Sequence, residues 1–388
     1  MISRNTILVI IVIAQFACVS LWFAGNGVIG DLIAEFNLPD TVLGHLTSAV
    51  QLGFIAGTLF FAVFAFADRF SPSLVFFFSS IAAALANLAM LFAFGDVIVM
   101  YGSRFITGFF LAGIYPVGMK IAADYFDKDL GKALGYLLGA LVLGTAFPHL
   151  LNGMMDTLRW EDVFITISIL SIGGGLLIFL LVPDGPYRKT GSRFSRLSAF
   201  NLFREKNFRS IAFSYFGHMW ELYAFWTFVP LLLSTFVLIN STEVEVSQFS
   251  FLVIGVGSIG CIVGGYLART MGSYNVAFIA LALSGFCCLV SPLIFTLNAA
   301  FIYVFCLLWG MTVIMDSPQF STLIAQTAPP ENKGSSLTIV NCIGFSITIF
   351  SIQLLNFLSE YFLLQWMFIF LLPGPAFGLW SLLSYQRR

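Results

Sequence analysis

The chain has 388 residues, of which 59% are apolar and 10% charged, with 18 basic and 19 acidic side chains. A soluble domain carries about 25% charged residues, so a water-facing surface is excluded, and a chain this apolar is not disordered. The formal net charge of −1 leaves no electrostatic footprint for nucleic acid. What remains is an all-α, polytopic membrane protein.

A helix crosses the hydrocarbon core with about 20 apolar residues. In chain order twelve such runs appear, at roughly 6–29, 41–66, 73–94, 98–123, 130–151, 163–182, 210–236, 248–267, 274–296, 300–325, 335–358 and 364–385. Arg4 ahead of the first run imitates a signal peptide, but no small-residue cleavage pattern follows, so the run reads as an uncleaved span. The runs are continuous and about twice the length of the alternating strands of a membrane barrel. The six cysteines (Cys18, Cys261, Cys287, Cys288, Cys306, Cys342) all lie in apolar runs, none in a C-x-x-C spacing, and read as small buried hydrophobes.

Lys and Arg placement orients the chain. With the N-terminus inside, the inner segments hold fifteen of the 18 basic residues, from Arg4 to Arg388, and only Arg159 falls outside. Both termini are therefore expected in the cytoplasm, and the protein in the plasma (inner) membrane. The basic segment 183–209 divides the spans six and six. It reads as a linker between halves 1–182 and 210–388, with a short surface helix over 197–203 and the option of touching anionic lipid. The halves echo each other: Arg69 and Arg269, Pro116 and Pro318, and Gly131 and Gly334 are separated by 200, 202 and 203 residues. Parallel six-span repeats around a midplane site are one plan of secondary transporters.

Several residues carry a more specific likeness. After the second span, Asp68 and Arg69 match the loop motif G-x-x-x-D-R-x-G-R-R, although Phe64 replaces its glycine and Ser71, Pro72 and Ser73 its last three positions. In the second half Gly264 and Arg269 match, with Ala268 in place of the aspartate, and Arg104 and Gly108 form R-x-x-x-G in the fourth span. With twelve spans and a central linker, the chain resembles the major facilitator superfamily. The phrases GHMWELYAFW and DSPQFS are similar to a bacterial subgroup loosely akin to cyanate, nitrate and organic-anion carriers. The resemblance implies that spans one, four, seven and ten line a cavity, which would place Trp22, Arg104, Glu221 and Asp316 there, one per span. It also implies that Asp68, Arg69 and Arg269 belong to the gating loops. The antiporter signature of the superfamily's fifth span is interrupted here, because Gly144 and Pro148 stand apart and His149 follows. That departure favours uptake.

Ionisable groups within a span cost about 2.5–3.5 kcal/mol on insertion scales, so each needs a partner, a cavity or a task. Arg104 lies some six residues, about 9 Å, into the fourth span. Its planar donors suit a carboxylate, nitrate or phosphate; a gating ion pair or a structural pair between helices are the other readings. Lys120 stands four residues before Asp124, a spacing that permits an i,i+4 pair and a stem reaching the inner surface, or else a basic lining of the inner mouth. Glu221 lies about 15 Å into the seventh span with His218 three residues earlier on the same face. A carboxyl group out of water and an imidazole can pass a proton between them; structural hydrogen bonding and a cation site are the alternatives. Asp316 precedes Ser317 and Pro318, where the helix ladder opens, and is expected to pair with Arg104 or Lys120 or to carry a proton itself. Asn26, Gln51, Tyr215, Trp226, Gln319 and Asn341 complete the candidate substrate set with Arg104 and Trp22.

No G-x-x-x-x-G-K-[ST], H-E-x-x-H or G-x-S-x-G occurs, so neither ATP-driven transport nor hydrolase chemistry is indicated. The sequence leads us to expect a monomeric secondary transporter, not an enzyme, moving a small solute, an anion by this reading, through proton-coupled alternating access. Arg104 would be neutralised by Glu221 or Asp316 at rest. No cofactor or metal is expected, H+ serves as coupling ion, and Na+ is its alternative. Export of lipophilic compounds against protons is the competing reading.

Overall fold

The computed structural model describes residues 3–126, 130–154, 159–188, 201–329 and 333–385. Among the described residues there is no strand, and twelve helices are long and apolar enough to cross a membrane. They are spans one to six at Arg4–Gly27, Val42–Val63, Pro72–Phe92, Val97–Tyr125, Leu130–Met154 and Trp160–Leu181, and spans seven to twelve at Lys206–Asn240, Val246–Met271, Ser273–Thr296, Ala300–Thr327, Lys333–Tyr361 and Leu364–Leu383. Apolar side chains such as Phe92, Ile98 and Leu180 are exposed, as a lipid-facing surface requires. All six cysteines are buried and free.

The chain divides into two compact units, Met1–Phe194 and Ser195–Arg388, and the division falls within the basic segment 183–209. Lys128, Lys189, Arg193, Arg196, Arg387 and Arg388 lie outside the described residues, as does most of the surface helix expected over 197–203; Leu202–Arg204 forms a single 3-10 turn.

In the first unit two spans are interrupted. Span one changes to a 3-10 turn at Ser20–Phe23 before a last short helix at Ala24–Gly27. Span four is helical over Val97–Leu111 and again over Tyr115–Tyr125, with Pro116 in the first turn of the second piece. The second unit repeats the latter break. Span ten runs Ala299–Met315, pauses at Asp316 and resumes at Ser317–Thr327 with Pro318 in its first turn. Proline withholds an amide from the carbonyl four residues back. That carbonyl, of Ile314, instead accepts the Asp316 amide and lies 3.8 Å from the Cys261 thiol of span eight. Span seven continues over 35 residues despite Pro230.

The units also share a helix crossing. A Cβ on Gly108 of span four would fall 2.0 Å from the Val50 carbonyl oxygen of span two, and one on Gly310 of span ten 1.8 Å from that of Val253 in span eight. Gly53, Gly57 and Gly260 are equally confined by facing backbone. Small residues let membrane helices approach to backbone contact, and these positions occupy corresponding places in both units. Gly135 differs. There a Cβ would meet open space, with nothing within 4 Å.

The start of the linker is held against the first unit. Ser71 donates to Asp184 (2.7 Å), Arg188 donates to the Phe70 carbonyl (2.8 Å) and ion-pairs with Asp184, and the Tyr187 amide donates to the Asp124 carbonyl (3.0 Å).

Gly108→Leu is expected to force spans two and four apart, costing about 1–3 kcal/mol or more by overpacking; thermal unfolding of the purified protein in detergent should show a lowered melting temperature, whereas Gly135→Leu leaves it unchanged.

Candidate functional site

Each unit contains its own buried polar centre, and each centre sits at a helix interruption. In the first unit the centre is Arg104, only 1% exposed. Nη2 donates to the carbonyls of Leu21 (2.8 Å) and Trp22 (2.7 Å), and Nη1 donates to Asn87 Oδ1 (2.8 Å). The carbonyls are available because span one changes helix type at that point. Asn87 of span three is aimed by span six, where its amide donates to Ser168 Oγ (3.0 Å) and the Phe164 carbonyl (3.3 Å). Four helices thus converge on the guanidinium. A carboxylate partner was expected, yet the observed partners are a neutral amide and two carbonyls of its own unit. Among the described residues Arg104 forms no ion pair.

Trp22, Asn26 and Gln51 flank the same interruption. Trp22 packs on Phe54 with ring centres 4.7 Å apart, and Asn26 donates to Thr47 Oγ1 (2.9 Å). Gln51 lies on span two between Thr47 and Phe54, fully buried, and neither amide atom has a hydrogen-bond partner.

In the second unit the carboxylates separate. His218 Nδ1 lies 2.8 Å from Asp316 Oδ1, at the pause in span ten. Tyr215 and Phe320 border the imidazole at 5.8 and 5.9 Å between ring centres, and Nε2 has no partner. Glu221 does not join this pair, contrary to the relay expected from the spacing. It accepts from Ser284 Oγ (2.9 Å) and Cys288 Sγ (3.2 Å) of span nine and from Trp309 Nε1 (2.7 Å) of span ten. Side chains three residues apart diverge by about 60° around a helix, enough for His218 and Glu221 to address different neighbours. Asp316 accordingly pairs with His218, where Arg104 or Lys120 had been expected. Trp309 is itself fixed by stacking on Phe225 at 4.3 Å. Tyr215, Trp226 and Gln319 are buried and Asn341 is partly buried.

Lys120 pairs with a different carboxylate from the Asp124 suggested by the spacing. It forms an ion pair of 2.7 Å with Asp68, so the loop aspartate after span two is bound to the second piece of span four. Arg69 is exposed, and Arg269 lies over the Tyr266 ring at 5.3 Å.

The model of the Major Facilitator Superfamily matches residues 11–352. The chain belongs to this superfamily. It is 24% identical over 300 residues to the probable sulfoacetate transporter SauU of Cupriavidus necator, covering 68% of this chain and 66% of that protein. It is 24% identical over 211 residues to the galacturonate transporter of Dickeya chrysanthemi, covering 49% and 59%. A third relative, the MFS-type transporter hasB of Aspergillus fumigatus, is 24% identical over 252 residues, covering 58% and 53%. The chain spans 53–66% of the length of these three relatives. Among solved structures it is similar to the nucleoside transporter NupG (TM-score 0.73, 14% identity, 97% of this chain and 98% of that one). It is also similar to a bacterial homologue of the human lysosomal transporter Spinster (TM-score 0.71, 13% identity, 98% and 94%). Its twelve membrane-crossing helices accord with that membership.

Sequence reasoning missed Asn87, Ser284, Cys288 and Trp309. The i,i+4 spacing of Ser284 and Cys288, two polar-capable groups on one face of an apolar span, was the available signal.

Removing one donor from the buried Glu221 carboxylate should be costly, because hydrogen bonds to charged groups contribute about 1.5–3 kcal/mol. Trp309→Phe is expected to lower the melting temperature, and the loss should shrink in a Glu221→Gln background. Equal losses in both backgrounds would show that the ring, not its N–H, matters.

Proposed function

We propose that the protein is a secondary transporter that moves a small organic anion together with a proton by alternating access. One observation carries the anion reading: Arg104 is a buried cation surrounded by neutral groups, with no ion pair among the described residues. A buried charge is costly unless paired. The carbonyls and Asn87 hold the guanidinium in place without neutralising it, and an anionic solute supplies the missing charge. Sulfoacetate and galacturonate, named for two of its relatives, are both organic anions, which supports the same reading.

A proton solves the energetic problem such a solute creates. Moving one negative charge against the membrane potential costs about 2.3 kcal/mol per 100 mV, and a proton travelling with it cancels that cost. The His218–Asp316 contact is our choice for the proton-carrying group, because a carboxylate and an imidazole can share and release one proton. Glu221 has three donors around it and serves in this reading as a fixed anchor of spans seven, nine and ten. In this reading both termini lie on the cytoplasmic side of the inner membrane, which the basic linker and inner loops support.

Proteoliposomes loaded with a pH-sensitive dye test the scheme. With sulfoacetate and galacturonate as test anions, wild type should show anion-driven proton uptake. Asp316→Asn and His218→Gln should abolish proton movement while anion counterflow persists. Arg104→Ala should lose both by about 100-fold, as expected for loss of a buried charge contact. Undiminished anion-driven proton uptake in Asp316→Asn and His218→Gln would remove the proton assignment.

A further inference from the structure

Three buried polar side chains of the first unit, on spans two and five, carry groups without a hydrogen-bond partner: both amide atoms of Gln51, the Thr145 hydroxyl and His149 Nε2. The three residues are at most 1% exposed. They belong to one neighbourhood. Thr145 and His149 are one turn apart on span five, next to Gly144 and Pro148. A Cβ on Gly144 would lie 2.6 Å from the Phe16 carbonyl oxygen, and one on Gly27 would lie 2.6 Å from Pro148 Cβ. Span five therefore runs along the interrupted part of span one. Gln51 adjoins the same part from span two, between the Asn26–Thr47 hydrogen bond and the Trp22–Phe54 contact. Arg104 reaches it from span four through the Leu21 and Trp22 carbonyls.

Buried polar groups in folded proteins are nearly always paired, and several orphans beside one interrupted helix call for an explanation. Their chemistry narrows the explanation. A plain oxyanion offers only acceptors, whereas the Gln51 carbonyl oxygen needs a donor; because both of its amide atoms are orphaned, exchanging them changes nothing. The Thr145 hydroxyl donates and accepts. A ligand that satisfies this set carries hydroxyl groups as well as a negative charge.

We infer that the solute is a polyhydroxylated carboxylate of sugar-acid type, with its carboxylate at Arg104 and its hydroxyls at Gln51, Thr145 and His149. This rests on the anion reading above and adds the substrate class and two residues, Thr145 and His149. A site built to bond hydroxyls discriminates strongly against analogues that lack them, since its own polar groups are then left buried and unpaired.

The test compares two ligand sets on the full-length protein: gluconate, glucuronate and galacturonate against hexanoate and cyclohexanecarboxylate, by binding in detergent and counterflow in proteoliposomes. Wild type should bind at least one hydroxylated acid more than about tenfold tighter than either plain acid. Gln51→Leu, Thr145→Val and His149→Phe should each erode that preference by about tenfold. Arg104→Ala should lose both sets. Ligand-free melting curves identify any variant that fails to fold, and the remaining two still decide the matter. If both sets bind wild type alike, or if the folded variants keep the preference while Arg104→Ala loses all binding, the hydroxyl site is overturned and the anion reading stands. If neither set binds, or if Arg104→Ala binds as wild type does, the anion reading itself fails.

Discussion

Inside a bilayer a backbone carbonyl that leaves the helix ladder has no water to turn to. Each interruption must therefore be repaired from within the protein, and in this chain the repairs coincide with the polar centres. Span one changes to a 3-10 turn and the exposed carbonyls are taken up by Arg104. Span ten pauses at Asp316 ahead of Pro318, and its Ile314 carbonyl is met by an amide and the Cys261 thiol. Buried polar side chains therefore gather where the helices are interrupted.

Several of these features recur in both units. Spans four and ten both restart with a proline in the first turn of their second piece. Spans two and four meet at Gly108, and spans eight and ten meet at Gly310, each glycine against the backbone of its neighbour. The two units differ in charge. The first buries a cation held by neutral groups, and the second buries two carboxylates with separate sets of partners.

Much of the fold was legible because lipid imposes a length. The expected span at 274–296 is found at Ser273–Thr296, and that at 210–236 extends to Lys206–Asn240, since helical backbone continues into polar ends that an apolar run does not count. Arg104, Glu221 and Asp316 were legible as charges in apolar runs. Their partners were not. Asn87 lies 17 residues from Arg104 and Trp309 lies 88 from Glu221, and nothing in the spacing along the chain ties either to its partner. The pairing of His218 with Asp316 rather than Glu221 depends on which way two neighbouring side chains rotate, and spacing along one helix does not encode that. Thr145 and His149 became candidates for binding only once the structure showed the Thr145 hydroxyl and His149 Nε2 buried without a hydrogen-bond partner.

The six free, buried thiols have a practical consequence. With every native thiol buried inside helix packing, a maleimide reagent applied to the folded protein meets no exposed competing thiol, so a single cysteine introduced on an exposed loop should take a fluorophore or spin label selectively in an otherwise native background. Distance measurements between two such labels, one per half, could then follow the transport cycle in the otherwise native sequence.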